Sequence, residues 1–254
     1  MIRIADLLVD WQDDRIDFVK NFVTDAKGEA VIKVNFTSDV PECHGIQYMT
    51  EISEHFLRTA AGDFLTANTD WSDVTSYFLP KSNCEYALPL AALCSKFSFF
   101  NALLLHASFV DYSGSGVLFT GPSGVGKTTQ ARLWEKYLDA RIVNGDKAFV
   151  RNTDKGLFAY GSPWKGSSEY CLDSKAPLKA IVILRQAKYN KISKLDSVAA
   201  ESLMPHVFFP YWDEKCLSRS LETFDKLVRN VPVYLLECKP DEEAVRLTSE
   251  AVFG

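Results

Sequence analysis

The sequence lacks several features that would assign a chain to a functional class at once. It has no run of about 18 apolar residues, so no transmembrane helix is predicted, and its first residues lack the basic and apolar regions of a signal peptide. Lys and Arg number 28 against 33 Asp and Glu, so the basic excess of nucleic-acid and anionic-membrane binders is missing. We therefore expect a cytoplasmic protein that binds neither nucleic acid nor membrane.

Paired cysteines are also missing. The six cysteines are scattered and form no CxxC pair, which argues against a zinc site or a disulfide framework and predicts free thiols in a reducing compartment. With 254 residues and 47% hydrophobic side chains, the chain is long enough to bury a core without such cross-links.

The first 95 residues differ in pattern from the rest. Residues 1–95 hold short strand-like runs between turn-rich pieces, which predicts a small, mostly β region, with one amphipathic helix at Thr50–Ala61. Residues 96–254 alternate strands and helices, which predicts an α/β domain with α+β tendencies, entered through a helix near Tyr86–Ser98. Its predicted strands and helices are Leu103–Tyr112, Val117–Thr120, Arg141–Val143, Phe149–Arg151, Leu157–Tyr160, Ala180–Leu184, Lys191–Leu195 and Val233–Glu237, and Lys127–Leu138, Asp213–Arg229 and Asp241–Val252.

One segment carries a phosphate-binding pattern. Gly121, Gly126, Lys127 and Thr128 form G-x-x-x-x-G-K-[ST] between an apolar strand and an amphipathic helix. Glycines let backbone N–H groups approach a triphosphate, and the helix N-terminus adds donors and a favourable dipole. We expect Lys127 to contact the β- and γ-phosphates of ATP and Thr128 to place its hydroxyl on Mg²⁺. The residues predicted to cradle the nucleotide are Gly121, Pro122, Ser123, Gly124, Val125, Gly126, Lys127, Thr128 and Thr129.

An acidic residue, Asp146, follows Lys127 after an interval only slightly longer than one helix. Asp146 ends the apolar stretch RIVNGD and is predicted to act in catalysis and to hold the metal together with Thr128. Glu169 and Asp173 are competing carboxylates. The short interval favours a kinase over a motor protein, and predicts one crossover helix and a strand adjacent to the strand before the loop.

Two further side chains are candidate catalytic groups. His106 interrupts the apolar stretch LLLHASFV ahead of the loop, where it either fills the core or handles a proton beside the phosphates. Arg185 follows the strand Ala180–Leu184 and either stabilises the transferring phosphoryl group or is a solvated strand end. Lys165 belongs to a loop that could close over the nucleotide, and Trp164 of the same loop either covers the base or packs on the loop.

These segments together resemble the catalytic domain of HPr kinase/phosphorylase and, more distantly, ATP-dependent phosphoenolpyruvate carboxykinase. The residues that carry the resemblance are His106, GVLFTGPSGVGKTTQA and RIVNGD, and it covers about residues 100–250. The sequence is closer still to uncharacterised bacterial HPr-kinase-like proteins through YGSPWKGSSE, LKAIVILRQAKYNKI and VPVYLLECKPDEEAV. Some of those relatives resemble serine kinases of lasso peptides.

The resemblance implies a P-loop kinase core with a small, mostly β N-terminal region. It implies transfer of the γ-phosphoryl group of ATP, with Mg²⁺, to a serine or threonine hydroxyl of a peptide or protein. Since HPr kinases form hexamers, a homo-oligomer is a further expectation. A small-molecule kinase, and a nucleotide-binding regulatory or accessory protein with little turnover, are the alternatives.

One departure from the family concerns the acceptor base. The resembling kinases have two successive aspartates, the first taken as the base and the second as a metal or phosphate-water ligand, and this sequence has Gly145-Asp146 there. Glycine cannot accept a proton. Either Asp146 performs both roles, or His106 or Glu169 acts as base, or the reaction differs.

Overall fold

The chain builds two β-sheets joined through one helix, in a computed structural model that describes residues 1–13, 16–38, 55–60, 62–78 and 86–254. The first sheet has the strand order β1-β2-β3-β6-β5-β4, in which β2, β3 and β6 are parallel and the outer pairs are antiparallel. Alternating burial along β2 turns Leu7, Val9 and Trp11 into the core. The strands are β1 (Ile2–Ile4), β2 (Leu7–Gln12), β3 (Ile32–Thr37), β4 (His55–Arg58), β5 (Phe64–Ala67) and β6 (Asp73–Tyr77).

The second sheet holds the candidate site. Its order is β11-β10-β7-β8-β12-β15-β13, with β9 and β14 also paired to β7. The central strands β8, β12 and β15 are parallel, so their carboxyl ends share one edge of the sheet. The strands are β7 (Ala102–Tyr112), β8 (Ser115–Thr120), β9 (Arg141–Asn144), β10 (Lys147–Thr153), β11 (Gly156–Tyr160), β12 (Lys175–Gln186), β13 (Lys191–Lys194), β14 (Val207–Phe208) and β15 (Val233–Cys238).

Helices cover both faces of the second sheet. Ala131 and Trp134 of α2 and Val245 of α5 pack on one face, whereas Leu203 of α3 and Phe224 of α4 pack on the other. The helices are α1 (Ala87–Ser98), α2 (Lys127–Leu138), α3 (Ala199–Leu203), α4 (Glu214–Asn230) and α5 (Glu242–Phe253), with 3₁₀ turns at Ile16–Phe18, Lys20–Phe22 and Met204–His206.

Helix α1 lies between the two sheets. One apolar cluster runs from Val34 and Leu65 of the first sheet through Leu93 and Phe97 of α1 to Phe149 of the second sheet. The boundary set at residue 95 falls inside α1, within this shared cluster. None of the described helices is long and apolar enough to cross a bilayer. The cysteines of the described segments are free thiols, at Cys94, Cys171, Cys216 and Cys238, and Cys43 and Cys84 lie outside those segments.

Two expectations about the elements need correction, and some elements were not expected. Residues His55–Arg58, part of the helix predicted at Thr50–Ala61, form strand β4 because they pair with β5; residues 50–54 and 61 lie outside the described segments. Strand β9 is not adjacent to β8, since β7 lies between them and pairs with both. The strands β1, β2 and β14 and the helix α3 were not predicted.

Candidate functional site

The loop between β8 and α2 presents its backbone at the carboxyl edge of the second sheet. Gly124 and Gly126 have φ values of 77° and 111°, which residues with side chains rarely adopt. The Lys127 ammonium folds back over this loop and donates to the carbonyls of Gly121 and Pro122 at 3.2 and 3.3 Å. Burial lowers the pKa of Lys127, opposed by the charge of Asp146. Lys127 is thus held over the loop by hydrogen bonds to two neutral backbone carbonyls.

His106 and Asp146 form a pair beside this loop. His106 Nε2 lies 3.0 Å from Asp146 Oδ1, and Lys147 Nζ lies 2.5 Å from Asp146 Oδ2. The pairing of β10 with β7, which sets Lys147 opposite His106, brings the three side chains together. Burial alone would raise the pKa of Asp146, but hydrogen bonds from His106 and Lys147 outweigh it and lower that pKa to about 2. The carboxylate is therefore ionised and held from two sides.

The carbonyl of Gly145 connects this pair to the glycine loop. It accepts hydrogen bonds from Thr128 Oγ1 at 3.0 Å and from Ser108 Oγ at 2.8 Å. Thr128 and Asp146 thereby offer a hydroxyl and a carboxylate in one place, and Mg²⁺ prefers such oxygen ligands, completed by phosphate oxygens and water. Within the described segments, no group of three or more His, Cys, Asp or Glu residues could hold a metal. The donor set fits a Mg²⁺ ion that arrives with a nucleotide.

Asn144, which the sequence analysis did not single out, shapes this turn. Its Oδ1 accepts from the backbone N–H groups of Asp146 and Lys147 at 2.8 and 2.9 Å. Its Nδ2 donates to the carbonyl of Ser162 at 2.7 Å. Asparagine before glycine is a turn signal, and that signal was available in RIVNGD.

The loop at residues 161–169 lies directly against Gly145 and Asp146. A methyl group on Gly145 would lie 2.5 Å from Ser168 Cβ and closer still to Ser168 Oγ. A methyl group on Gly166 would lie 2.9 Å from Asp146 Cγ. Ser168 thus fills the space beside the position where the resembling kinases carry their first aspartate.

Residues of the first sheet and its connections hold this loop in place. The Trp164 indole is 7% exposed, donates from Nε1 to the carbonyl of Tyr86 at 3.0 Å, and packs edge-on against Phe18 at 5.4 Å between ring centroids. Asn21 Nδ2 donates to the carbonyl of Cys171 at 2.6 Å. Of the two roles left open for Trp164, covering a nucleotide base or packing, the structure shows packing, because its ring is buried among these aromatic side chains.

The remaining predicted residues lie apart from the pair. Arg185 belongs to β12, next to its carboxyl end and opposite Glu237 of β15, with its side chain 64% exposed and its guanidinium 3.5 Å from Glu237. Glu169 is exposed and lies 3.8 Å from Arg132, and Asp173 is bound by Arg3 at 2.6 Å. The structure therefore pairs His106, and neither of the competing carboxylates, with Asp146.

Two cavities flank the glycine loop on opposite faces of the sheet. The first, of about 680 Å³, is lined by Pro122–Val125, Arg185 and, from the segment after β13, Val198 and His206. The second, of about 340 Å³, is lined by Gly126, Thr129, Gln130 and the segment Cys238–Pro240. Burial lowers the pKa of His206, and the charges of His106 and Lys127 add to that effect. His206 is a site-facing residue that no sequence motif indicated.

Comparison with known proteins places the chain in a family. Residues 87–241 match the family described as SynChlorMet cassette protein ScmC. A solved structure described as the Hpr(Ser) kinase/phosphatase from Coxiella burnetii is similar over 58% of this chain and 91% of that chain, with 13% sequence identity and a TM-score of 0.36. No curated protein matches the chain. Because the family match covers more than half of its length, this protein belongs to the SynChlorMet cassette protein ScmC family.

Proposed function

We propose that this protein is an ATP- and Mg²⁺-dependent kinase that transfers the γ-phosphoryl group to a serine or threonine hydroxyl of a peptide or protein. The observation that carries the proposal is the junction at Gly145. Its carbonyl is bound by Thr128 at the start of α2, and the next residue, Asp146, is bound by His106. Candidate phosphate-binding, metal-binding and proton-handling groups thus meet at one turn of the chain.

The glycine loop would bind the phosphates through its backbone. The loop Gly121–Gly126 runs into the N-terminus of α2, where unpaired N–H groups and the helix dipole favour an anion. Lys127 now contacts two neutral carbonyls. A triphosphate offers it charge-assisted hydrogen bonds, which are roughly twice as strong as neutral ones, so Lys127 would turn from the carbonyls to the phosphates.

Thr128 and Asp146 would hold Mg²⁺, which neutralises part of the phosphate charge when bound. The chain's own contribution is to orient the carboxylate before the nucleotide arrives. Lys147 and His106 each take one oxygen of Asp146, and Asn144 fixes the backbone on which it stands. This orientation lowers the cost of ordering the site when the nucleotide binds.

In the transfer step, the acceptor oxygen forms a bond to the γ-phosphorus as the bond to the β–γ bridging oxygen breaks. ADP leaves, and the proton of the acceptor hydroxyl passes to the His106–Asp146 pair. The transition state of phosphoryl transfer is loose, so positioning and charge neutralisation contribute more than a strong base. A site in which glycine stands at position 145, in place of one carboxylate, could therefore still support transfer. Arg185 would supply a further positive charge from the rim of the first cavity.

Two alternatives each rest on a specific observation. Ser168 fills the space beside Gly145, and both oxygens of Asp146 are already bound, by His106 and Lys147, which favours a nucleotide-binding accessory protein with little turnover. The first cavity, with about 680 Å³, is of the size that binds small ligands, which favours a small-molecule acceptor.

Calorimetry of ATP binding tests the nucleotide site. The variant Lys127→Ala loses a charge-assisted contact of about 1.5–3 kcal/mol, so its affinity for ATP with Mg²⁺ should fall roughly 10–150-fold. Lys136→Ala, at the exposed end of the same helix, is the matched control and should bind as the wild type does. Equal binding by the Lys127→Ala variant would refute the site.

Transfer of labelled phosphate tests the reaction. The wild type should phosphorylate serine-containing peptides, and Asp146→Asn should abolish this and its Mg²⁺ dependence. Asp139→Asn is the control, because Asp139 is exposed at the C-cap of α2. If the wild type binds ATP but phosphorylates neither peptides nor small alcohols, the accessory-protein alternative is correct. If small alcohols alone are phosphorylated, the acceptor is a small molecule.

A further inference from the structure

The segment that follows β13 exposes an unusual amount of apolar surface. Val198, Met204, Phe208 and Tyr211 are among the few large hydrophobic side chains that are exposed within the described residues, and Tyr211 is 79% exposed. Large apolar patches on a protein surface mark interaction sites, and these four side chains come from one short stretch of the chain. We call residues 198–211 the apolar segment.

The apolar segment lies beside the candidate catalytic pair. Strand β14 pairs with β7, so that Val207 stands opposite Leu105, the neighbour of His106. The Phe208 ring centroid is 6.5 Å from that of His106. A molecule bound on the apolar segment would therefore reach the end of the glycine loop where His106 and Asp146 meet.

The first cavity continues this surface toward the glycine loop. Val198, Ser202 and His206 of the apolar segment line it on one side and Pro122–Val125 on the other. Its aliphatic wall consists of Ile183, Leu184, Leu195 and Leu235, and no carboxylate lies among the described residues that line it. Arg185 and Gln186 also line the cavity, which therefore suits an apolar side chain and offers no carboxylate to a cationic one.

The two cavities differ in their relation to the transferring phosphoryl group. His206 lines the first cavity and lies two residues before Phe208, whose ring is 6.5 Å from that of His106, so this cavity opens toward the transfer end of the site. The lining of the second cavity includes the first turn of α2 and the segment after β15 but no residue of the apolar segment. This arrangement leaves the second cavity to bind the nucleoside and the first cavity to bind the acceptor.

We propose that the apolar segment and the first cavity bind the phosphoryl acceptor as a peptide whose serine or threonine is flanked by apolar side chains, one of which enters the cavity. This inference rests on the proposed function and deepens it, because it names the class of acceptor. The acceptor hydroxyl then lies between His206 and the His106–Asp146 pair.

Peptides that differ only beside a central serine test the proposal. The probes are pentapeptides in which the serine is flanked by leucine and phenylalanine, by glycine, by lysine or by glutamate. Transfer is followed by mass spectrometry, and ATP affinity by calorimetry on the same preparations. One well-placed apolar side chain is worth roughly 10–200-fold in discrimination, so the apolar peptide should exceed the glycine peptide in kcat/KM by at least about tenfold.

Two variants locate the preference. Val198→Asp and Phe208→Asp, both at exposed positions, should reduce kcat/KM for the apolar peptide by about tenfold or more and reduce the preference over the glycine peptide. Leu221→Asp, an exposed leucine on α4, is the control and should change neither quantity.

Other outcomes would overturn the proposal in distinguishable ways. Equal kcat/KM for all four peptides, or an unchanged preference in both variants, refutes the acceptor surface. Variants that weaken ATP binding instead show that the first cavity holds the nucleoside. A change from oligomer to monomer in light scattering, with the preference intact, shows that a second copy of the chain covers the apolar segment. If ATP binding does not depend on Lys127, the proposed function itself fails, whereas ATP binding with no transfer to any of the four peptides refutes this acceptor class.

Discussion

A single methyl group at Gly145 should have a large and testable effect. Gly145 is not among the glycines with positive φ, so alanine fits its backbone and any cost comes from contact alone. The new Cβ would lie 2.5 Å from Ser168 Cβ, closer still to Ser168 Oγ, and 3.8 Å from the carbonyl of Lys165. These distances to Ser168 are well inside van der Waals contact, so either the loop at residues 161–169 moves or the strand end does.

Overpacking of this kind costs roughly 1–3 kcal/mol. For a chain of this size, each kcal/mol lowers the melting temperature by about 2–4 °C, so Gly145→Ala should lower it by about 2–12 °C. The loop is anchored by Trp164 and Asn144, so it cannot move without disturbing these hydrogen bonds.

The variant Ser168→Gly removes both clashing atoms. It loses one hydrogen bond, from Ser168 Oγ to the carbonyl of Lys165, worth about 0.5–1.5 kcal/mol.

Chemical denaturation of four proteins forms a double-mutant cycle: the wild type, Gly145→Ala, Ser168→Gly and the double variant. If the contact is real, the double variant should be more stable than additivity predicts by about 1 kcal/mol or more. Phosphoryl transfer should fall in Gly145→Ala and recover in the double variant, because the same loop places Gly166 against Asp146. Effects on stability that add to within about 0.5 kcal/mol would refute the packing of Ser168 against Gly145.

Three further predictions concern the pair and its support. The pKa of Asp146 is lowered from 3.8 to about 2, so its ionised form stabilises the fold above about pH 4, and this contribution is lost as the pH falls toward 2. The difference in unfolding free energy between wild type and Asp146→Asn should therefore shrink by about 2 kcal/mol over that range. A difference that does not change with pH would contradict this prediction. His106→Ala should lower turnover by roughly 100-fold with little change in melting temperature, whereas normal turnover in a destabilised protein would make His106 a core residue. Phe18→Ala removes one ring, which stacks at 4.0 Å on Tyr86 and lies edge-on to Trp164, so it should reduce stability by about 1 kcal/mol or more and slow transfer while ATP affinity is retained. Transfer at the wild-type rate would show that the 3₁₀ turn Ile16–Phe18 does not position the loop.

The helices and the residues at which they begin and end could be predicted from the sequence. The helix predicted at Lys127–Leu138 is confirmed at both ends, because the glycines before it stop the strand and the amphipathic pattern sets its length. The helices predicted from Asp213 and Asp241 begin one residue later, since both aspartates are N-caps that accept a hydrogen bond from the first turn. Each of these features depends on residues within about one helical turn of one another.

Strand pairing depended on the tertiary structure. His55–Arg58 carries an amphipathic pattern that a helix would also show, and only its pairing with Phe64–Ala67 makes it a strand. The parallel pairing of β2, β3 and β6 joins segments far apart in the chain. Parallel pairing and the pairing of β9 with β7 leave no local turn signal, because these partners are not joined by a hairpin.

The candidate site likewise combines a motif that the sequence shows with contacts that only the tertiary structure creates. Lys127 and Thr128 belong to one continuous motif, so the sequence alone located the candidate phosphate-binding loop. His106 and Asp146 are separated by 40 residues, and the pairing of β7 with β10 brings them into contact. Ser168 reaches Gly145 only because its loop is packed against the first sheet. Such contacts are set by the burial and hydrogen bonding of the whole chain, which no spacing within a single segment encodes.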